Sequence, residues 1–167
     1  LTTNTCTIKD LDNERIKEVV KMAIYHKRLP GDAIKATIPA ILKKLNLIVN
    51  DKLTNAAVML FCTKEDKQFM QSNVNLARFR GITNSQFISH KMYTGNAFEL
   101  YDKADEFLTF ALPVAAHIEP GRAARVETPA IPYNVLREAL VNAFVHRDYS
   151  HAGGSVDAAM YDDRVEI

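Results

Sequence analysis

In the stretch REALVNAFVHRDY, residues 137–149, a carboxylate and a carboxamide stand one helical turn apart, at Glu138 and Asn142. Between Val135 and Val145 the polar side chains are confined to Arg137, Glu138 and Asn142. At 100° per residue, Val135, Leu136, Ala139, Leu140, Ala143 and Phe144 cover a broad arc. Val141 and Val145 cover much of the opposite side, and Glu138 and Asn142 fall between, with His146 continuing their line. A helix this apolar is expected to be buried, where an unpartnered carboxylate costs several kcal/mol, on the order of a domain's spare stability. Glu138 and Asn142 should therefore either meet structural partners, such as Arg137 of a neighbour or a capping loop, or face a cavity. The second possibility is the one that carries chemistry.

A chain of 167 residues is long enough for one substantial core or two small ones. Its charged and apolar fractions are ordinary for a globular protein. A net charge of +1 gives no global pull toward nucleic acid or membrane. The basic clusters LKKL (42–45) and ARFRG (77–81) read as solvated faces. Two cysteines, Cys6 and Cys62, lack metal-ligand spacing and fit a reducing, cytoplasmic setting better than a disulfide scaffold. No apolar run approaches the ~18–20 residues of a membrane span, and no signal peptide is evident, so no membrane association is expected. A first residue other than Met, and a last segment DDRVEI that stops inside a strand-like pattern, read as a fragment of a multidomain chain.

The elements expected to position the polar pair follow from periodicity. Ile16, Val19, Val20, Ala23 and Ile24 mark an amphipathic helix, capped by Asp10 or Asp12 and stopped at Leu29-Pro30-Gly31. Ile34, Ile38, Ile41, Leu42 and Leu45 suggest a second helix, with Pro39 near its start or at a kink. A short strand, an Asn50-Asp51 turn and a buried strand at 56–62 follow. Val74, Leu76 and Phe79 mark a further strand, and Ala97, Phe98, Tyr101, Ala104, Leu108 and Ala111 a further helix. Residues 113–132, rich in proline, read as an extended connector with room for a short hairpin. A helix over 133–147, a strand at 155–161, a turn at Asp162-Asp163 and a strand from Arg164 complete the chain. Helices and strands mix without strict alternation, which predicts an α+β fold. In an alternative organisation, residues 10–62 form a winged-helix-like DNA-binding module. Its second helix, however, offers Lys35, Lys43 and Lys44 and no Arg, Asn or Gln suited to base edges.

The blocks LREALVNAFVHRDYS and GGSVDAAMYDDRVEI resemble the C-terminal region of a bacterial family of RecG-related, ATP-dependent DNA helicase-like proteins and transcriptional regulators. LTNAAVMLF, VNLARFRG, TGNAFELYDKADEFL and LPVAAHIE resemble the stretch upstream of it, so the likeness runs from about Asp10 to the end. In that family a Schlafen-type AlbA domain comes first and a GHKL-like ATPase segment last. The resemblance implies a linker module at 1–112, a connector at 113–132 and the first part of an ATP-binding segment at 133–167. It makes Glu138-x-x-x-Asn142 the counterpart of the nucleotide-binding helix. Asn142 would then offer an amide oxygen to Mg²⁺, a hard ion that bridges phosphates. Glu138 would orient or deprotonate the attacking water, a role typically contributing ~10²–10⁴ in rate. Arg147 would offset phosphate charge, with a surface role as its alternative. Two features depart from the pattern. Val145 stands where most GHKL proteins carry an Asp, and the glycine-rich boxes that hold adenine would lie beyond Ile167. This chain alone is therefore not expected to hydrolyse ATP.

Other signals carry less. His146-Arg147-Asp148 matches part of a kinase catalytic loop, but Gly153 stands where a metal-binding Asn is required. His146, Asp148 and His151 lack a further His or Cys to complete a metal set, and Asp148 or Ser150 better suits backbone groups at the helix end. Gly153-Gly154 reads as a turn, and no G-x-x-x-x-G-K-[ST] loop supports a helicase motor in this segment. Arg78 and Arg80, alternate residues of one strand, either touch phosphate or pair with acidic neighbours. The functional expectation is nucleotide-responsive control of DNA binding or transcription, with ATP and Mg²⁺ as cofactors and the DNA contact on another domain. The competing expectation is a structural or homo-oligomerising module without nucleotide chemistry, which Val145 favours.

Overall fold

The computed structural model describes the chain except residues 4, 119–124, 150 and 152, and the side chains of 115–118 and 125–127. The fold is α+β, as expected, and divides into two compact units. Unit 1 comprises Leu1–Ser72 with Gly95–Phe98, and unit 2 comprises Asn73–Thr94 with Glu99–Ile167. The boundaries between the units fall at Ser72/Asn73, Thr94/Gly95 and Phe98/Glu99.

In unit 1, helix α1 (Asn13–Tyr25) is capped by Asp12, whose side chain accepts from the Arg15 N–H at 2.9 Å. Its Ile16 and Val20 are buried and Val19 and Ile24 partly covered, while Met22 and Tyr25 are exposed. Ile34, expected in the second helix, lies instead in a short 3₁₀ turn at Gly31–Lys35 that precedes helix α2 (Ile38–Lys44). Pro39 lies in the first turn of α2, where its missing N–H leaves no intrahelical bond unmade. Strands β1 (Ile48–Val49) and β2 (Lys52–Leu53) form a hairpin. Asn50 (φ 50°) and Asp51 (φ 57°) both adopt the left-handed conformation that a tight two-residue hairpin turn demands.

The buried strand expected at 56–62 is instead helix α3 (Asn55–Phe61). Its start is set by Thr54, whose hydroxyl accepts from the Ala57 N–H at 3.3 Å. Ala57, Val58 and Phe61 then bury one helical stripe. A seven-residue apolar run fits either element by composition, and here the cap decides. The ribbon of the winged-helix alternative accordingly reduces to two residues per strand. Of the three lysines offered by that alternative, Lys43 is paired with Asp51 at 2.9 Å.

Unit 2 is built on a four-stranded sheet of order β4-β3-β7-β8. Strands β3 (Asn73–Phe79) and β7 (Val156–Met160) run parallel at its centre. Strands β4 (Phe87–Thr94) and β8 (Val165–Glu166) flank them in antiparallel pairing. No strand was read at β4, because an exposed edge strand with Phe87, Ile88 and Met92 facing solvent shows no alternation of burial. Helices α4 (Ala97–Ala111) and α5 (Tyr133–His146) contribute Leu100, Ala104, Leu108, Leu136, Leu140 and Phe144 to one core. Val74 and Leu76 of β3, with Val156, Ala158 and Met160 of β7, complete it. Because side chains alternate across a strand, Asn75, Ala77, Asp157 and Ala159 lie on the other sheet face. Residues 113–132 contain the hairpin allowed for there, β5 (Val114–Ile118) against β6 (Arg125–Pro129). Positions 119–124, including Pro120, lie outside the described residues. Among the described residues no helix is long and apolar enough to cross a membrane.

Candidate functional site

The inner face of α5 is dry, with Leu136, Leu140 and Phe144 all packed into the core of unit 2. Its outer face is not. Val135 is 51% exposed, Val141 37% and Val145 67%, and Glu138 and Asn142 are exposed beside them. The expectation of a helix buried on nearly every side is thereby corrected. Apolar composition reports how many positions are oily, whereas the number of covering layers decides how many are covered, and α5 has cover on one side. The cost expected for a buried, unpartnered carboxylate does not arise.

The Asn142 Nδ2 donates to Glu138 Oε1 at 3.4 Å, a long bond between exposed groups. With the amide nitrogen turned to Glu138, the Asn142 Oδ1 makes no bond among the described residues. Both side chains line an open hollow of about 750 Å³ along α5, together with Asn134, Val135, Arg137, Ala139 and Val141. An amide oxygen and a carboxylate side by side at an open surface suit a hydrated divalent cation or a bound water. Neither is plugged by neighbouring protein atoms.

Arg147 follows the helix and serves a different purpose. Its guanidinium donates to the Gly154 carbonyl and lies 5.0 Å over the Tyr149 ring. The Tyr149 hydroxyl donates to the Phe144 carbonyl at 2.7 Å, satisfying one of the last acceptors of α5. Burial pushes the Tyr149 hydroxyl pKa up, and Arg147 partly opposes that shift. Arg147 therefore fastens the segment after the helix, and its contacts point to Gly154 and Tyr149 rather than to the polar pair. His146 is exposed, and His151 Nδ1 lies 3.2 Å from Asp148 Oδ2 in the open. Ser150, the alternative helix-end partner, lies outside the described residues. Among the described residues no group of three or more His, Cys, Asp or Glu is placed to hold a metal.

A second open hollow, about 660 Å³, shares Asn134 and Arg137 with the first and adds Tyr101 and Asp105 from α4. Burial and then Asp105 raise the Tyr101 pKa, while Arg137 lowers it. Periodicity marks Tyr101 only as a helix residue, and nothing local to 97–111 marks it or Asp105 as lining a site with Arg137. On the sheet, Arg78 pairs with Asp162 at 2.9 Å and donates to the Tyr161 carbonyl, so the acidic-neighbour alternative holds for it. A bulge between Arg78 and Phe79 interrupts the simple alternation with Arg80.

No family model matches the chain, and no curated protein matches it either. Among solved structures it is similar to the DIP2311 protein from Corynebacterium diphtheriae, with a TM-score of 0.68 and 19% identity. The match covers 96% of this chain and 30% of that one, so the chain spans less than a third of its structural neighbour. At that identity the likeness shows the α+β fold alone.

Proposed function

We propose that α5 presents part of a nucleotide site, through which a RecG-related bacterial regulator couples Mg-ATP binding to DNA binding or transcription control. The observation carrying this reading is the exposed Glu138–Asn142 pair, one turn apart and joined at 3.4 Å, on a face open to about 750 Å³ of hollow. In this reading the free Asn142 oxygen is a ligand for Mg²⁺, and Glu138 holds a water near the phosphates. Bound Mg²⁺ would offset phosphate charge. Arg147, already engaged with Gly154, contributes by its field rather than by a forked contact. Val145 leaves the face without the Asp common in GHKL proteins, so the reading assigns binding, not hydrolysis, to these residues. DNA contact is assigned to a Schlafen-type AlbA region elsewhere in the full protein.

Calorimetric titration of Mg-ATP into a chain extended past Ile167, with and without Asn142→Ala, tests it. A loss of at least tenfold in affinity is expected; equal affinity in both proteins ends the nucleotide reading.

A second reading is favoured by Val135, Val141 and Val145, which flank the polar pair with exposed apolar surface. Here α5 is a docking face of a structural or homo-oligomerising module. Sedimentation of Val145→Asp against the parent chain separates the two. A dimer lost on substitution supports docking, and a monomer in both proteins removes it.

A further inference from the structure

Two thiols that are 56 residues apart in the chain meet in the core of unit 1: Cys6 Sγ lies 3.4 Å from Cys62 Sγ. Both are free and buried, Cys6 at 5% exposure and Cys62 at 0%. Their contact is held from three sides. Thr2 bridges to Thr54 just before α3, Leu11 bridges to Cys62 just after it, and the Asp12 N–H donates to the Phe61 carbonyl at 2.7 Å. Thr2 thus meets the start of α3 and Leu11 and Asp12 its end, with Cys6 brought against the C-cap residue of that helix. A disulfide needs the sulfurs to close from 3.4 Å to ~2.05 Å.

We propose that Cys6 and Cys62 are an oxidisable pair, which a peroxide-class oxidant converts to an intrachain disulfide stapling the N-terminal arm to α3. Cys6 is the point of entry, because it lines an open hollow of about 530 Å³ with Thr3, Thr7, Ile8 and Leu53, whereas Cys62 has no exposed surface. The Cys6 thiolate attacks one peroxide oxygen; the S–O bond forms, the O–O bond breaks, and hydroxide leaves to become water. The Cys62 sulfur then attacks the Cys6 sulfenic sulfur; the S–S bond forms, the S–O bond breaks, and the second water departs. Two thiols lose two electrons and one peroxide is reduced to two waters.

The reaction is slow at neutral pH. Burial first, then the Cys62 thiol and Asp10, push the Cys6 thiol up to about 12, against the opposing charge of Lys67. The thiolate fraction is correspondingly small, and the rate rises with pH. This is a slow staple rather than a fast sensor.

The test uses the full chain, treated with hydrogen peroxide under native conditions and then mapped by non-reducing peptide mass spectrometry. Expected is a monomer lighter by two hydrogens with Cys6 linked to Cys62, reversed by dithiothreitol, and an upward shift of several degrees in the thermal midpoint of the oxidised form. Because that comparison uses one unaltered sequence, it does not depend on any variant folding. In Cys62→Ser, Cys6 is expected to stop at a sulfenic acid trappable by dimedone or to proceed to sulfinic acid. Two results overturn the proposal: thiols that stay free natively while reacting in urea, or crosslinks that form only between chains.

Discussion

In the N-terminal arm of unit 1, Asp10 Oδ2 accepts from the Thr7 N–H at 2.8 Å, the Thr7 hydroxyl at 2.7 Å and the Lys67 ammonium at 2.8 Å. On α5 of unit 2, Glu138 holds one bond of 3.4 Å to an amide and otherwise faces solvent. Lys67 first, then the Thr7 hydroxyl and N–H, hold the Asp10 carboxyl well below the usual carboxylate range. The same chemical group is thus consumed by structure in one region and left available in the other. Three donors gathered on one oxygen identify a structural carboxylate, whereas a single long bond beside an open hollow identifies a candidate for ligand chemistry.

The sharpest way to break this comparison is to strike the inner face of α5. Leu140→Ala removes a side chain with no exposed surface and should cost about 2–5 kcal/mol in urea unfolding. A loss under about 1 kcal/mol would mean that α5 is not anchored as described. Asp10→Asn comes next, since it strips charge from a carboxylate with three donors; the urea midpoint should fall, and Lys67→Met should lower it too. The pH dependence carries a definite sign. Asp10 is depressed when folded, so its contribution is full above the unfolded carboxylate range of ~4 and is lost as pH falls below it. Lys67 is raised when folded, so its contribution is full below its ordinary value of ~10.4 and is lost as pH rises beyond that. In Asp10→Asn both slopes should flatten, and an unchanged acid limb would remove Asp10 from the structural class.

Arg147→Ala should cost about 1–2 kcal/mol, through the bond to Gly154 and the contact with Tyr149. Glu138→Gln is the smallest change, within about 0.5 kcal/mol of the parent stability. A larger loss in urea unfolding would show that Glu138 has structural partners after all, and would place it beside Asp10.

Much of the frame was legible in local pattern. A cap at Asp10 or Asp12, Pro39 near a helix start or at a kink, and Asn50-Asp51 as a turn each depend on the chemistry of a few adjacent residues, and the structure chose Asp12 and the first turn. Three readings failed. The α3 run satisfies a strand as well as a helix until Thr54 is seen to cap it. Strand β4 lacks alternation because it is an edge. The valines of α5 look like core because composition cannot count the layers around a helix.

Periodicity and capping, set by covalent geometry within a turn or two, were enough to determine where α1, α4 and α5 form and that Glu138 and Asn142 share a face. What lies against that face was decided by elements far away in sequence, because burial depends on which surfaces the whole fold brings together. The same holds for Cys6 and Cys62, whose spacing of 56 residues carries no pairing signal and whose sulfurs nonetheless meet at 3.4 Å. Tertiary packing alone could place them there, since contact between remote residues is a property of the closed chain and not of either segment.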